Sequence, residues 1–429
     1  MEWIDAVTAS ERLGVKPATL YAYVSRGVLQ RRHSEDGRRS LFSAEEVERL
    51  ARRGRPRNQP PELVIESAVT ALGVDRPYYR GVDALELART ATFETVAHWL
   101  WTADASRPAD RHADGPRTAA RPVDARPVDP GPGGSGVRRE AAGSGWRCEP
   151  GALRAAVAAQ RGLPEDLLPL DRLQVITTVL GASDSLRHQL DPASVADAGR
   201  RLIAGLVDGL PQLGDPQGES IAERLWSRLS PRPVTPALLD TLQAALVLLA
   251  DHELAASTLA ARVAASAKAD PYAVVLTGLG VLGGPLHGGA SYGAERLLAE
   301  VAEPHQAARA IGERVRRGER IPGFGHSVYK NGDARGALLL DLLKHAAPGH
   351  ERIAAVAAVL EEMRRRRLPE HNIDFALATL TAVSGMVNGA SEAIFAVARA
   401  AGWLAHAIEE YGRGSLLRLR ASYTGPPVK

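Results

Sequence analysis

LLADHELAASTLAARVAASAKADPYAVVLTGLGVLGGPLHGGA, residues 248–290, is the stretch whose reading decides the fold. It lies within a region, from residue 153 onward, where Leu173, Ile176 and Leu180, then Leu238, Leu242, Leu246 and Leu249, recur at three- and four-residue steps. That spacing predicts amphipathic helices, and alternating strand patterns are scarce. Ala and Leu dominate and aromatics make up only 5% of the chain, which favours helices packed closely on small side chains. The expected class is all-α, with functional residues on helix ends and loops. The stretch closes on a Gly-Gly-Pro segment that brings backbone close to a ligand and exposes the imidazole of His287.

Two more short stretches share that character: GFGHSVYKNGDAR at 323–335 and NIDF at 372–375. With GPLHGG at 284–289, each sets one proton-handling side chain, His287, His326 or Asp374, on a tight, Gly- or Pro-punctuated segment. Two histidines and a carboxylate on fixed backbone are the groups needed to enolise a weak carbon acid and add it to a carbonyl. A loop such as 321–335 can offer an α-keto acid both backbone N–H groups and an imidazole.

In order, spacing and residue type these motifs resemble those of the citrate synthase family. The likeness covers roughly residues 62–103 and 150–426. It implies that His287 donates to the thioester oxygen of acetyl-CoA, that Asp374 takes the methyl proton, and that His326 binds and protonates the carbonyl of oxaloacetate. It further implies that His252, Arg335, Arg399 and Arg418 hold the oxaloacetate, Arg418 reaching in from the other subunit of a homodimer. Leu419 stands where the family usually has Pro after that arginine, so the register leaves Arg420 as an alternative. Ala334 replaces the usual Pro of an Asp-Pro-Arg turn, and Ser327 replaces a frequent Arg; neither change removes a reactive group. The implied reaction is citrate synthesis by an acyltransferase with CoA entering as substrate and no metal or other cofactor. Propionyl-CoA, giving 2-methylcitrate, is the nearest alternative. The implied body has a large helical domain and a small one, at approximately 289–384, that closes over it.

The ends of the chain read differently. Residues 1–57 carry a net charge of +4 and the other 372 sum to −1, so an anionic partner is expected for the N-terminal part alone. Thr8-x-x-Glu11 and Ser43-x-x-Glu46 read as capping boxes, Pro17 as the first residue of a second helix, and Arg31 to Arg39, around Asp36-Gly37, as a hairpin. This pattern over 1–54 resembles the winged helix-turn-helix of MerR-type regulators and phage excisionases. Lys16, Thr19, Tyr21 and Tyr23, with Arg38 and Arg39, are the candidate DNA contacts. A regulator that senses metabolites through the enzyme body is the competing functional class.

Residues 104–147 hold two copies of Ala-Arg-Pro-Val-Asp and a Gly/Pro-rich run, and read as a disordered insert between 55–103 and 148–429. The single Cys148 excludes a disulfide framework, and the longest apolar run, Tyr272 to Leu286, is too short and too broken to span a bilayer. The expectation is a cytoplasmic protein.

Overall fold

The computed structural model describes residues 3–13, 15, 17–25, 28–34, 40–47, 64–103, 145–330, 332–419, 421 and 424–425. The chain divides into two compact units, Met1–Glu66 with Arg420–Lys429, and Ser67–Leu419.

The smaller unit is a three-stranded antiparallel sheet with short helices. Trp3–Asp5 pairs with Ser40–Ser43, which pairs in turn with Arg31–His33 in the register Arg31↔Phe42. Helices Ala6–Leu13 and Pro17–Ser25 pack on it around Ile4, Ala9, Leu20, Leu29, Phe42 and Val47. Pro17 opens its helix as expected, and Ser43 Oγ accepts from Glu46 N to start the next. The first cap differs from expectation: Thr8 N donates to Asp5 Oδ1 (2.8 Å), so Asp5 caps a helix that begins before Thr8. The carboxylate one turn earlier wins because the strand Trp3–Asp5 delivers it there. The expected Asp36-Gly37 turn lies outside the described residues, as does most of the 104–147 insert.

The larger unit is helical almost throughout. Its long central helix, Ala390–Arg413, is buried along nearly its whole length against helices Pro192–Gly209, Ala256–Ser266 and Pro271–Leu282. Small residues permit that density. A Cβ at Gly278 would stand 2.5 Å from the Trp403 ring, and one at Gly199 would meet Leu404 and Trp101. Helices Gly289–Glu300 and Ala334–Ala346 each pack against helix Ile373–Ser384, and the last two carry parts of two of the short motifs. No described helix is long and apolar enough to cross a membrane.

Two expectations need correction. The all-α expectation has an exception: Thr70–Leu72, Pro77–Tyr79 and Val82–Asp83 form a small antiparallel sheet, and the next helix starts at Ala84, capped by Asp83. Strands this short carry too few residues for period-2 alternation to show. Tyr79 fixes the sheet to the body, its hydroxyl meeting the carbonyls of Val247, Leu248 and Asp251 at 3.0–3.1 Å. Residues 145–147 also belong to the body rather than to the insert. Trp146 is buried, stacked on Trp101 at 5.6 Å, and its carbonyl accepts from Arg224 Nη1.

Candidate active site

Asn372 caps helix Ile373–Ser384, its Oδ1 accepting from Asp374 N (3.0 Å) and Phe375 N. Asp374 therefore sits in a first helical turn, where the helix end favours its charged form. Burial outweighs this: although Ser291 Oγ donates to Oδ1, desolvation pushes the Asp374 carboxyl up to about 6. An ordinary aspartate is a feeble base at neutral pH, and this one is about a hundredfold stronger.

His287 follows the expected tight turn, with its N–H bonded to Gly284 O (2.9 Å). Its Nε2 lies 2.7 Å from Ser257 Oγ, and Trp403 Nε1 donates to that same oxygen (3.2 Å). With the indole donating into Ser257, the hydroxyl can give its own proton to His287 Nε2, an arrangement that leaves the imidazole proton on Nδ1 to donate to a ligand. Burial, helped by the Arg399 charge, pushes the ring down to about 4, so it is neutral at any ordinary pH.

The loop at 321–335 shapes His326 in the opposite sense. Val328 N and Tyr329 N both donate to its Nδ1, at 3.0 and 3.1 Å, which places the imidazole proton on Nε2. Desolvation first, then Arg335, holds this ring at about 4 as well. Tyr329 stacks on His326 at 4.5 Å, and its hydroxyl meets His252 Nε2 at 2.9 Å. His252 is 8% exposed and its ring lies edge-on to His326 at 5.4 Å. Burial, with Arg335 and Arg399, keeps it well below the usual imidazole range.

Two arginines complete the cluster. Arg335 is clamped by Asp333, Nε to Oδ1 at 2.9 Å and Nη2 to Oδ2 at 2.8 Å, and its Nη2 comes within 3.5 Å of His326 Nε2. Arg399 is 1% exposed, gives Nε to Leu249 O (2.8 Å), and lies 4.7 Å from the Phe395 ring centre. Its Nη1 has no hydrogen-bond partner among the described residues, and burial pushes the guanidinium down to about 10. The Arg399 charge is felt at His252, His287 and Asp374 alike, which puts it at the centre of the group.

The loop at 321–335 and the segment leading into helix Ile373–Ser384 are pinned to each other by backbone. Phe324 and His371 form an isolated antiparallel bridge, Gly325 N donates to Glu370 O (2.8 Å), and Asn372 N donates to Gly323 O (3.0 Å). Gly323 has φ +81°, and a Cβ there would strike Phe375, so only glycine fits.

Arg418 alone among the expected substrate residues is not brought to this cluster: it is exposed, in the segment after helix Ala390–Arg413, and Arg420 lies outside the described residues. In the smaller unit Thr19 and Tyr21 are exposed on the second helix. Tyr23 instead packs half-buried against that unit's core, turned inward by the helical repeat. Lys16, Arg38 and Arg39 lie outside the described residues. Arg31, on the first arm of the expected hairpin, lies over the Tyr21 ring at 5.8 Å. Ser257, Ser291 and Asp333 were not singled out from sequence. Only the last had a sequence signal, a carboxylate two residues from Arg335 in a turn. Among the described residues no group of three or more His, Cys, Asp or Glu could hold a metal.

Residues 62–420 match the family model for the citrate synthase C-terminal domain, and the chain belongs to the citrate synthase family. Residues 7–53 match the MerR HTH family regulatory protein model. Citrate synthase 2 of Bacillus subtilis (strain 168) is 34% identical over 276 residues, covering 61% of this chain and 74% of its own. The 2-methylcitrate synthase 2 of Corynebacterium glutamicum is 30% identical over 282 residues, covering 61% and 73%. In fold, the chain resembles citrate synthase of the thermophilic archaeon Thermoplasma acidophilum, solved as a ternary complex with carboxymethyl coenzyme A and oxaloacetate. The TM-score is 0.66 at 21% identity, covering 86% of this chain and 96% of that one. Members of the family condense an acyl-CoA with oxaloacetate, and citrate synthases take acetyl-CoA as substrate and need no cofactor.

Proposed function

We propose that this chain condenses acetyl-CoA with oxaloacetate and water to give citrate and CoA. The observation that carries the reading is the buried, unmatched charge of Arg399, set among two neutral histidines and one carboxylate of raised basicity. A cation held in the interior without a hydrogen-bonded anion is costly unless an anionic ligand completes it.

Asp374 takes a proton from the acyl α-carbon, and the C–H electron pair becomes the double bond of the enol. Nδ1–H of His287 donates to the thioester oxygen as charge develops there. The enol carbon attacks the oxaloacetate carbonyl carbon, whose oxygen takes a proton from Nε2 of His326. Water then cleaves the citryl thioester and releases CoA. Arg335, Arg399 and His252 hold the dicarboxylate. Cleft closure by the segment around 289–384 would exclude water from the enol.

The active species is proposed to be a homodimer. Ala256, Leu259, Val263 and Ala267 form an exposed apolar strip on helix Ala256–Ser266, and Arg418 is free to enter a partner's site. The N-terminal unit is proposed to bind DNA through the face bearing Thr19, Tyr21 and Arg31, which the likeness to MerR regulators favours. A DNA partner accords with a cytoplasmic protein.

The deciding experiment is steady-state CoA release with acetyl-CoA and propionyl-CoA side by side, oxaloacetate being the common acceptor. A higher kcat/KM for propionyl-CoA would move the assignment to 2-methylcitrate synthesis. No release with either would leave a metabolite-sensing regulator.

A further inference from the structure

We propose that a chain of buried hydrogen bonds, Asp251–His406–Arg262, positions the oxaloacetate end of the site, with His406 as the positioning residue at its centre. The inference rests on the oxaloacetate reading above.

One face of helix Ala390–Arg413 carries Arg399, Gly402, His406 and Glu410 at three- and four-residue spacing. A Cβ at Gly402 would lie 2.3 Å from Asp251 Oδ1, so the missing side chain is what lets Asp251 rest against the helix. Asp251 Oδ2 accepts from His406 Nε2 (3.2 Å) and from Glu253 N (3.1 Å). On the far side of the ring, Arg262 Nη1 lies 2.6 Å from His406 Nδ1. A guanidinium can only donate, so Nδ1 is the acceptor and the ring proton is aimed through Nε2 at Asp251. Arg262 is itself held by Glu410 (Nε to Oε1, 2.8 Å) and Glu409 (Nη1 to Oε2, 2.7 Å). Glu409 also accepts from Ala68 N (2.7 Å), at the start of the unit. Asp251, Arg262, His406 and Glu410 all have zero exposure.

Buried ion pairs are poor stabilisers, and a core this rich in Leu and Ala could have closed over apolar side chains instead. What the chain supplies is direction. Every link leads to the residue that precedes His252. Asp251 is also the strongest carboxylate influence on Arg399, opposing the effect of burial there, while His406 before Arg399 favours the ionised form of Asp251 itself. Nothing in the chain touches Ser291 or Asp374, the groups at the acyl end.

The test is a split between the two substrates. His406→Ala should raise the KM for oxaloacetate about ten- to a hundredfold, the range for losing a hydrogen bond to a buried charge, and leave the KM for acyl-CoA unchanged. His406→Gln should restore most of the loss, because a carboxamide can accept from Arg262 and donate to Asp251. Unchanged oxaloacetate affinity in His406→Ala overturns the proposal. So does a parallel rise in both KM values, or a Gln variant no better than Ala. Should His406→Ala fail to fold, the near-isosteric Asp251→Asn decides: calorimetry should find oxaloacetate binding weakened to the same degree, and unchanged binding overturns the proposal. Wild-type protein that binds no oxaloacetate would instead sink the functional reading.

Discussion

Arg335 and Arg399 are both buried cations in one site, yet the protein treats them in opposite ways. Arg335 has a carboxylate two residues away in its own turn, bonded to it twice, and Asp333 also accepts from Ile373 N (3.1 Å). Its charge is matched whether or not a ligand is present, and its guanidinium is held above its ordinary range. Arg399 has a backbone carbonyl, a phenyl face and an idle Nη1. The first arginine is part of the scaffold as well as of the site. The second has no carboxylate bonded to it, only the more distant field of Asp251, and leaves a donor for a ligand to take up.

The comparison can be broken in several ways. The largest effect is expected beyond both arginines: Asp374→Asn should cut turnover ~10²–10⁴-fold, the usual weight of a general base, while calorimetry finds oxaloacetate bound as before. Near-normal CoA release would remove Asp374 from the mechanism. Arg335→Gln should lower unfolding stability by about 3–5 kcal/mol, because Asp333 is left charged and buried without its partner. Denaturant midpoints measure this. Arg399→Met should do the reverse, weakening oxaloacetate binding by about 2–5 kcal/mol with an unchanged or raised midpoint. If the two arginine variants lose stability alike, the contrast between scaffold and ligand-dependent charge is wrong.

Two smaller effects concern pH. Asp374 must be ionised to accept a proton, so kcat should fall as pH drops through about 6, tenfold per unit below it. His287 and His326, at about 4, stay neutral across that window. Ser291 stabilises the ionised carboxylate, so Ser291→Ala should move the acid limb to higher pH, by less than about one unit for a single hydrogen bond. A shift to lower pH would mean that the hydroxyl serves the protonated form. The smallest effect should come from removing residues 1–54: kcat and both KM values should stay as they are, while any salt-sensitive retardation of duplex DNA should vanish.

Much of this was legible in the sequence. His287, His326 and Asp374 stood out because each needs a fixed, ligand-facing backbone, and Gly and Pro write that requirement directly into the chain. The helices were legible from Leu173, Leu242 and their like because a buried stripe must recur with the helical turn. The partners were not. Ser257 supports His287 from 30 residues away and Ser291 reaches Asp374 across 83, and serines at such separations carry no local pattern. Asp251, His406 and Arg262 looked like ordinary helix residues until the fold brought them together. The strands at 70–83 failed for a different reason: two- and three-residue strands are set by tertiary anchors such as Tyr79, not by their own alternation.

The backbone bridge between Phe324 and His371 couples two of the groups that the proposed reaction needs. His326 and Asp374, which in the proposed reaction handle protons at opposite ends of the new carbon–carbon bond, hang on two segments stapled together two and three residues away. Neither can swing into place alone. On the proposed reaction, the group that makes the nucleophile is delivered together with the group that readies its target, so an enol would have no occasion to form while its acceptor stands unprepared.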